Sequence, residues 1–333
     1  MWLASLVACD PVPKADAHLD AGRPDEAIVF YERASSLNPE ARQRYARALL
    51  QAGRSEDAAR ALHDVETPNH DGHLVAGSLL AEQGELELAL VAFEAGLAVK
   101  ETPELAVNVC VARLGLDRDP LTACQDAVKA APMDPRAYAA VAEAALRAEM
   151  PQTAKEALFR AEKHYEGDPT TALWIGEGWV GAEDHAQACA WSIQLEQPPV
   201  LFGRACLIAG DPVRAQALLE PLAADDDEAA ALLLRQAVFE AEDASEGVSR
   251  HQAIERARRW ERRLLEVDEV GVLTDRGRLA HLAGDVLEAE ALWERAIEVD
   301  PLEAAPRANL ARSLSQRGMK EAAEALASPP AND

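Results

Sequence analysis

Small apolar residues keep a fixed step from glycine along this chain. Gly22, Gly53 and Gly84 stand 31 residues apart, Gly284 and Gly318 stand 34 apart, and Gly210 belongs to the same set. Each is followed five residues later by an alanine: Ala27, Ala58, Ala89, Ala289, Ala323 and Ala215. An aromatic follows one helical turn beyond the alanine at Tyr31, Phe93 and Trp293. Segments close on Asn38-Pro39, Asp134-Pro135, Asp168-Pro169 and Asp300-Pro301. Laid over one another, GRPDEAIVFYERASSLNP from Gly22 and GDVLEAEALWERAIEVDP from Gly284 match Ala27 with Ala289, Tyr31 with Trp293, Ala34 with Ala296 and Pro39 with Pro301.

The pattern predicts antiparallel helix pairs. The glycine ends a first helix, where the chain turns through a left-handed conformation that costs other residues more. The alanine marks the closest approach of the second helix to the first, and the aromatic fills the space beside it. The closing proline stops the second helix and starts the next. Between 228 and 269 the pattern stretches into two longer helices, 228–241 and 250–267, with Ala253, Ala257, Trp260 and Leu264 as the inward stripe of the latter.

Composition agrees with an all-helical chain. Hydrophobic residues make up 49% and aromatics 5%, with alanine supplying much of the difference. Alanine is the best helix former and β-branched residues are few. Lys and Arg total 33 against 58 Asp and Glu, a formal charge of -25, which repels phosphate backbones and argues against nucleic acid as a partner. No apolar run reaches the roughly 18 residues that span a bilayer.

These positions resemble the tetratricopeptide-repeat (TPR) family, whose unit is a helix–turn–helix of about 34 residues. The resemblance covers residues 14–327 in about ten units. It is closest around Gly22, Gly84 and Gly284, and weaker over 104–135, 136–169 and 170–199, where Arg118, Glu149 and Gly181 stand at or near the glycine position. It implies an all-α, right-handed superhelical solenoid that holds a protein or peptide partner, without catalysis and without a cofactor. The expected organisation is an array over 14–242, an inserted loop at 243–249, further repeats over 250–327 and a disordered tail at 328–333.

The chain opens MWLASLVACD, and Leu6-Val7-Ala8-Cys9 resembles a bacterial lipobox. That resemblance implies cleavage before Cys9 and acylation of it, leaving residues 1–13 as a signal remnant and tether. The expected location is then the cell envelope, on a membrane facing the periplasm, with an adaptor role in envelope assembly; a cytoplasmic scaffold or regulator without an anchor is the alternative. Cys110, Cys124, Cys189 and Cys206 read most simply as small buried hydrophobes. Cys110 with Cys124 and Cys189 with Cys206 also fall on facing helices, so two disulfides are open in an oxidising compartment.

No catalytic constellation stands out: the sequence has no H-E-x-x-H, no G-x-S-x-G and no glycine-rich phosphate loop. His70 and His73 form the one histidine cluster, read as a solvated pair rather than a metal site. The resemblance implies that first helices line a concave face and that the ninth position of each unit points into it. That position holds Arg47, Arg204, Arg278 and Arg312, with Arg136 and Arg147 nearby. Arginines there fit acidic or C-terminal carboxylate segments through bidentate pairing, or they pair with acidic side chains of neighbouring units. The stretch RHQAIERARRWERR, residues 250–263, is expected to be neutralised by DDDE at 225–228 and EAED at 240–243, the alternative being contact with anionic lipid or an acidic partner.

Overall fold

In a computed structural model of the chain, the described residues are 11–34, 37, 39–54, 57–58, 60–61, 70–245 and 247–327. Cys9 and the 328–333 tail lie outside them. Among the described residues the regular structure is helical throughout, with no strand. The chain divides into two compact units, Met1–Ala182 and Glu183–Asp333.

In the first unit, α1 (Val12–Asp20) pairs with α2 (Pro24–Glu32), α3 (Pro39–Gln51) is followed by helical residues at 57–58 and 60–61, and α4 (His70–Glu82) pairs with α5 (Leu86–Val99). Next come α6 (Pro103–Gly115) with α7 (Pro120–Ala130), α8 (Pro135–Arg147) with α9 (Pro151–His164), and α10 (Pro169–Gly181). The second unit begins with α11 (His185–Trp191) and a 3₁₀ turn at Ser192–Gln194. It continues as the pairs α12 (Val200–Ile208) with α13 (Pro212–Leu219), α14 (Asp227–Asp243) with α15 (Val248–Arg263), α16 (Val270–Leu282) with α17 (Val286–Val299), and α18 (Ala304–Gln316) with α19 (Lys320–Ala327). The chain is an all-α helix-pair solenoid, as its periodicity predicts.

The turn inside a pair has one recurring geometry. Gly22, Gly53, Gly84, Gly210, Gly284 and Gly318 all take positive φ two residues past the helix end. At Gly284 the N–H bonds to the His281 carbonyl at 3.0 Å, and the next N–H, of Asp285, reaches back to Ala280 at 2.9 Å. Those two bonds satisfy carbonyls that the helix end would otherwise leave open. In the three weaker repeats the left-handed position is held by Asp117 (φ 53°), Glu149 (φ 57°) and Glu183 (φ 54°). Glu149 is the turn residue itself, Arg118 stands next to one and Gly181 two residues before one, all at or near the position expected. The Glu149 turn keeps the same bonds, to Leu146 at 3.0 Å and from Met150 to Ala145 at 2.8 Å.

Packing within each pair follows from two positions. Seven residues before the left-handed residue the first helix carries Ala15, Ala46, Gly77, Cys110, Ala142, Gly203 or Gly277, all buried. Nine residues after it the second helix carries Tyr31, Phe93, Leu158, Leu219 or Trp293. Where the first is glycine the second lies directly on it. A Cβ at Gly77 would stand 2.4 Å from the Phe93 ring, one at Gly277 2.4 Å from Trp293 Nε1, and one at Gly203 2.4 Å from Leu219. Trp293 also donates its indole N–H to the Thr274 carbonyl at 3.2 Å. The alanines predicted at closest approach, from Ala27 to Ala289, are fully buried.

The cysteines depart from the simpler expectation of free buried thiols. Cys110 on α6 is bonded to Cys124 on α7, and Cys189 on α11 to Cys206 on α12, each with Cα atoms 4.7 Å apart. In the α6/α7 repeat the cystine occupies the position where other repeats place glycine or alanine. The helices already approach closely there, so the bridge needs no backbone displacement.

Helix starts are set by proline and by aspartate. Pro24, Pro39, Pro103, Pro120, Pro135, Pro151, Pro169 and Pro212 each occupy the first helical position, where the missing N–H has no intrahelical partner to lose. Asp134 and Asp168 cap the helices that follow; Asp168 Oδ2 accepts from the Thr171 N–H at 2.7 Å and from its hydroxyl at 2.6 Å. Asp300-Pro301 works differently: α17 ends before it, and α18 starts only at Ala304 with Glu303 as cap. The long pair α14/α15 is joined by residues 244–247, shorter than the expected insertion. Two arginines of its basic helix pair with the acidic stretches expected, Arg263 with Asp227 at 2.8 Å and Arg256 with Glu240.

Two substitutions separate these effects. Gly277→Ala is expected to lower stability by about 1–3 kcal/mol through the clash with Trp293, and Glu149→Gly to raise it by about 0.5–1 kcal/mol by relieving the left-handed backbone. Urea midpoints moving in opposite directions check both.

The Thr171 hydroxyl and N–H hold Asp168 below the usual carboxylate range. Its stabilisation is therefore complete above the ordinary carboxylate value and disappears as pH falls through the lowered folded-state value. Asp168→Ala is expected to cost about 1 kcal/mol at pH 7. The gap to wild type should begin to close below about pH 4, as read by melting curves across pH.

Candidate binding groove

First helices of successive pairs touch one another in the second unit, so α12, α14, α16 and α18 form a continuous wall. Two adjoining clefts lie along it. One, of 640 Å³, lies between α14, α16 and α18, and Arg235, Phe239, Asp275, Arg278, Asn309 and Arg312 face it. The other, of 960 Å³, lies between α12 and α14, with Leu207, Ile208, Leu232, Gln236 and Phe239 in its walls. Arg235 and Phe239 belong to both.

Asp275, 4% exposed, organises the first cleft. It receives Arg235 Nε at 2.8 Å and Arg278 Nη1 at 2.9 Å. Arg278 also donates to Glu242, Nε to Oε1 at 2.9 Å, and its guanidinium lies 4.3 Å above the Phe239 ring. Burial opposes the charge of Arg278, but the bonds to Glu242 and the nearby Asp275 outweigh it and hold the guanidinium above its ordinary pKa. The Gly271 backbone permits this packing, since a Cβ there would stand 2.8 Å from an Arg235 guanidinium nitrogen. Arg312 is exposed and makes no ion pair among the described residues.

The six arginines singled out in the sequence do not act alike. Arg278 and Arg312 share the first cleft; Arg204 edges the second and pairs with Glu228 on α14. In the first unit, Arg136 is tied to Asp134, the cap of its own helix, at 2.6 Å. Arg147 bonds to Glu143 at 2.5 Å and to the Leu114 carbonyl at 2.7 Å. Arg47 is exposed and unpaired among the described residues. Counted from the turn residue, the ninth position in the repeats of Glu149 and Glu183 is Glu143 and Glu177. Glu143 accepts the Trp174 indole N–H at 2.7 Å, and partial desolvation followed by repulsion from Glu143 pushes the Glu177 carboxyl up. At the ninth position arginine thus recurs in the second unit, at Arg204, Arg278 and Arg312, and stands in the first unit at Arg47.

Sequence reasoning missed Arg235, Phe239, Gln236 and Asp275. A signal existed at Phe239: a large aromatic on the polar side of a helix whose buried stripe is made of alanine and leucine. The histidine pair is also corrected. Both residues lie in α4, and His73 is buried, its Cβ 2.8 Å from where a Cβ on Gly96 would stand. No group of three or more His, Cys, Asp or Glu able to hold a metal occurs among the described residues, and none of their helices is long and apolar enough to cross a membrane.

Asp275→Ala is expected to lower stability by about 1–3 kcal/mol, because it removes the buried acceptor that Arg235 and Arg278 share and leaves Arg278 with Glu242 alone. Arg312→Glu, with no partner to lose, should stay within about 0.5 kcal/mol of wild type. Urea denaturation of the two variants checks the contrast.

Residues 18–82 match the family model described as a tetratricopeptide repeat. The search of curated proteins returned no match. Among solved structures, the C-terminal part of a TPR repeat-containing protein from Cytophaga hutchinsonii is 12% identical, covering 90% of this chain and 99% of that one, with a TM-score of 0.42. PilF of Pseudomonas aeruginosa is 12% identical over 63% of this chain and 96% of its own, with a TM-score of 0.40. MamA is 18% identical over 45% and 93%, with a TM-score of 0.37. Likeness at this level fixes no residue of the groove. The tetratricopeptide-repeat match covers residues 18–82, and the same turn and the same small-against-large packing recur in later repeats of both units.

Proposed function

We propose that this protein is a non-catalytic adaptor of the bacterial cell envelope, anchored by acylation of Cys9 and facing the periplasm, which holds partner proteins in the groove of its second unit. TPR proteins act in general as interaction scaffolds, and the finer assignment rests on this chain's own residues. The observation that carries it is the pairing of all four cysteines beyond Cys9 into two disulfides. Structural disulfides persist where thiols are oxidised, and in a reducing cytoplasm they would not last. The Leu6-Val7-Ala8-Cys9 motif supports the same compartment from the sequence, and several acyl chains would anchor the chain stably. For binding, the support is Arg312, a guanidinium facing the groove with no ion pair among the described residues, beside Asn309 and the Arg278–Phe239 stack. That array suits carboxylate-bearing segments.

The test is the intact mass and thiol count of the protein made in its native host. The expected outcome is a mature chain beginning at Cys9 with added acyl mass, and no cysteine alkylated after denaturation without reductant. A chain retaining Met1 with four alkylated thiols in its repeats would replace this reading with a cytoplasmic scaffold.

A further inference from the structure

The cleft between α12 and α14 has a feature that an ordinary surface hollow lacks. Gln236, 8% exposed, stands in its wall. Its amide nitrogen donates to the Pro212 carbonyl at 3.1 Å and to Glu240 Oε1 at 3.0 Å. Both neighbours can only accept, so the nitrogen must face them, and the Gln236 carboxamide oxygen is left buried without a partner. A buried acceptor in a native fold calls for a donor. Around it stand Leu207, Ile208, Leu232 and Phe239, and two of these are large apolar side chains left open, Ile208 at 59% and Phe239 at 52% exposure. Single exposed hydrophobics need no explanation, but here they line one cavity with an orphan acceptor.

Charge sorts the two clefts. Asp243 lines the apolar cleft and makes no ion pair among the described residues, so a carboxylate is repelled from it. The neighbouring cleft, lined also by Glu303, carries Arg312, a cation that makes no ion pair among the described residues. Phe239 and Arg235 form the ridge common to both.

We propose that the α12–α14 cleft is an anchor pocket for a large aliphatic or aromatic side chain of an extended partner segment, which donates a backbone N–H to Gln236 and places a nearby carboxylate at Arg312. The proposal rests on the reading of this wall as the partner-binding face, and adds the chemistry of the partner: an apolar residue a short distance from an acidic one.

The experiment uses the full chain with its disulfides intact and acetylated, amidated twelve-residue peptides. Each peptide carries two adjacent aspartates and, within five residues, either leucine, phenylalanine or alanine; fluorescence polarisation reads affinity. Leucine and phenylalanine peptides should bind at least about tenfold more tightly than the alanine series, as burial of one large side chain implies. Ile208→Ser, at a position too exposed to matter for folding, should narrow that ratio, while Arg312→Glu weakens all series alike. N-methylation of the anchor residue should weaken binding to wild type and leave Gln236→Leu indifferent. Equal affinity for leucine and alanine peptides, with Arg312→Glu still harmful, would overturn the pocket and leave the groove reading standing. If no acidic peptide binds and Arg312→Glu changes nothing, both fall together.

Discussion

The contact on which the rest of this structure depends is the closure of two antiparallel helices over one small residue. Where that residue is Gly77 or Gly277, an aromatic from the second helix lies where a Cβ would be. Steric repulsion is steep at such distances, so a single added methyl forces the two helices to shift. Each pair sealed in this way needs only its neighbours to cover its remaining apolar faces, which is the physical basis of a solenoid. The buried core is accordingly a series of local clusters, one of them running from Ala15 to Ala112 and another from Leu219 to Leu279. In the second unit the first helices also touch one another, and the wall they form carries the two clefts.

The fold was legible because the seal imposes composition. Alanine and glycine at fixed steps, with Tyr31, Phe93 and Trp293 beside them, are visible without any structure. Where the turn residue was not glycine, the register was legible only to within two positions. Asp117, Glu149 and Glu183 adopt the same left-handed backbone at some energetic cost, and nothing in a single sequence separates a strained glutamate from an ordinary one. The disulfides were hidden for a related reason. Cys110 and Cys124 occupy small-residue positions, so a pair of buried thiols and a cystine make the same sequence pattern; only the distance between the helices decides.

The binding wall was less legible than the fold. Counting from the turn found Arg278 and Arg312, because the ninth position is set by helical geometry. It also returned Arg204, which pairs with Glu228, while Arg136 and Arg147, picked as nearby, are held by Asp134 and Glu143. Whether a guanidinium is free depends on side chains one repeat away, and the sequence does not say which acidic residue reaches it. Asp275 and Gln236 were invisible, since their meaning lies in burial beside specific partners.

The distinction between engaged and free arginines decides where a ligand can gain affinity. A carboxylate arriving at Arg278 must compete with Asp275 and Glu242, which already satisfy its donors, and exchange of one anion for another yields little. Those bonds do other work: they fix the guanidinium over Phe239 and keep the wall rigid, so that little entropy is lost on binding. Arg312 has no such competitor, and a carboxylate there replaces only water. In a chain of charge -25, free cations facing a groove are scarce, and the acidic remainder repels acidic segments everywhere else. Selectivity for a site then comes as much from that repulsion as from the attraction at Arg312, with the neighbouring apolar cleft supplying the contact that charge alone cannot.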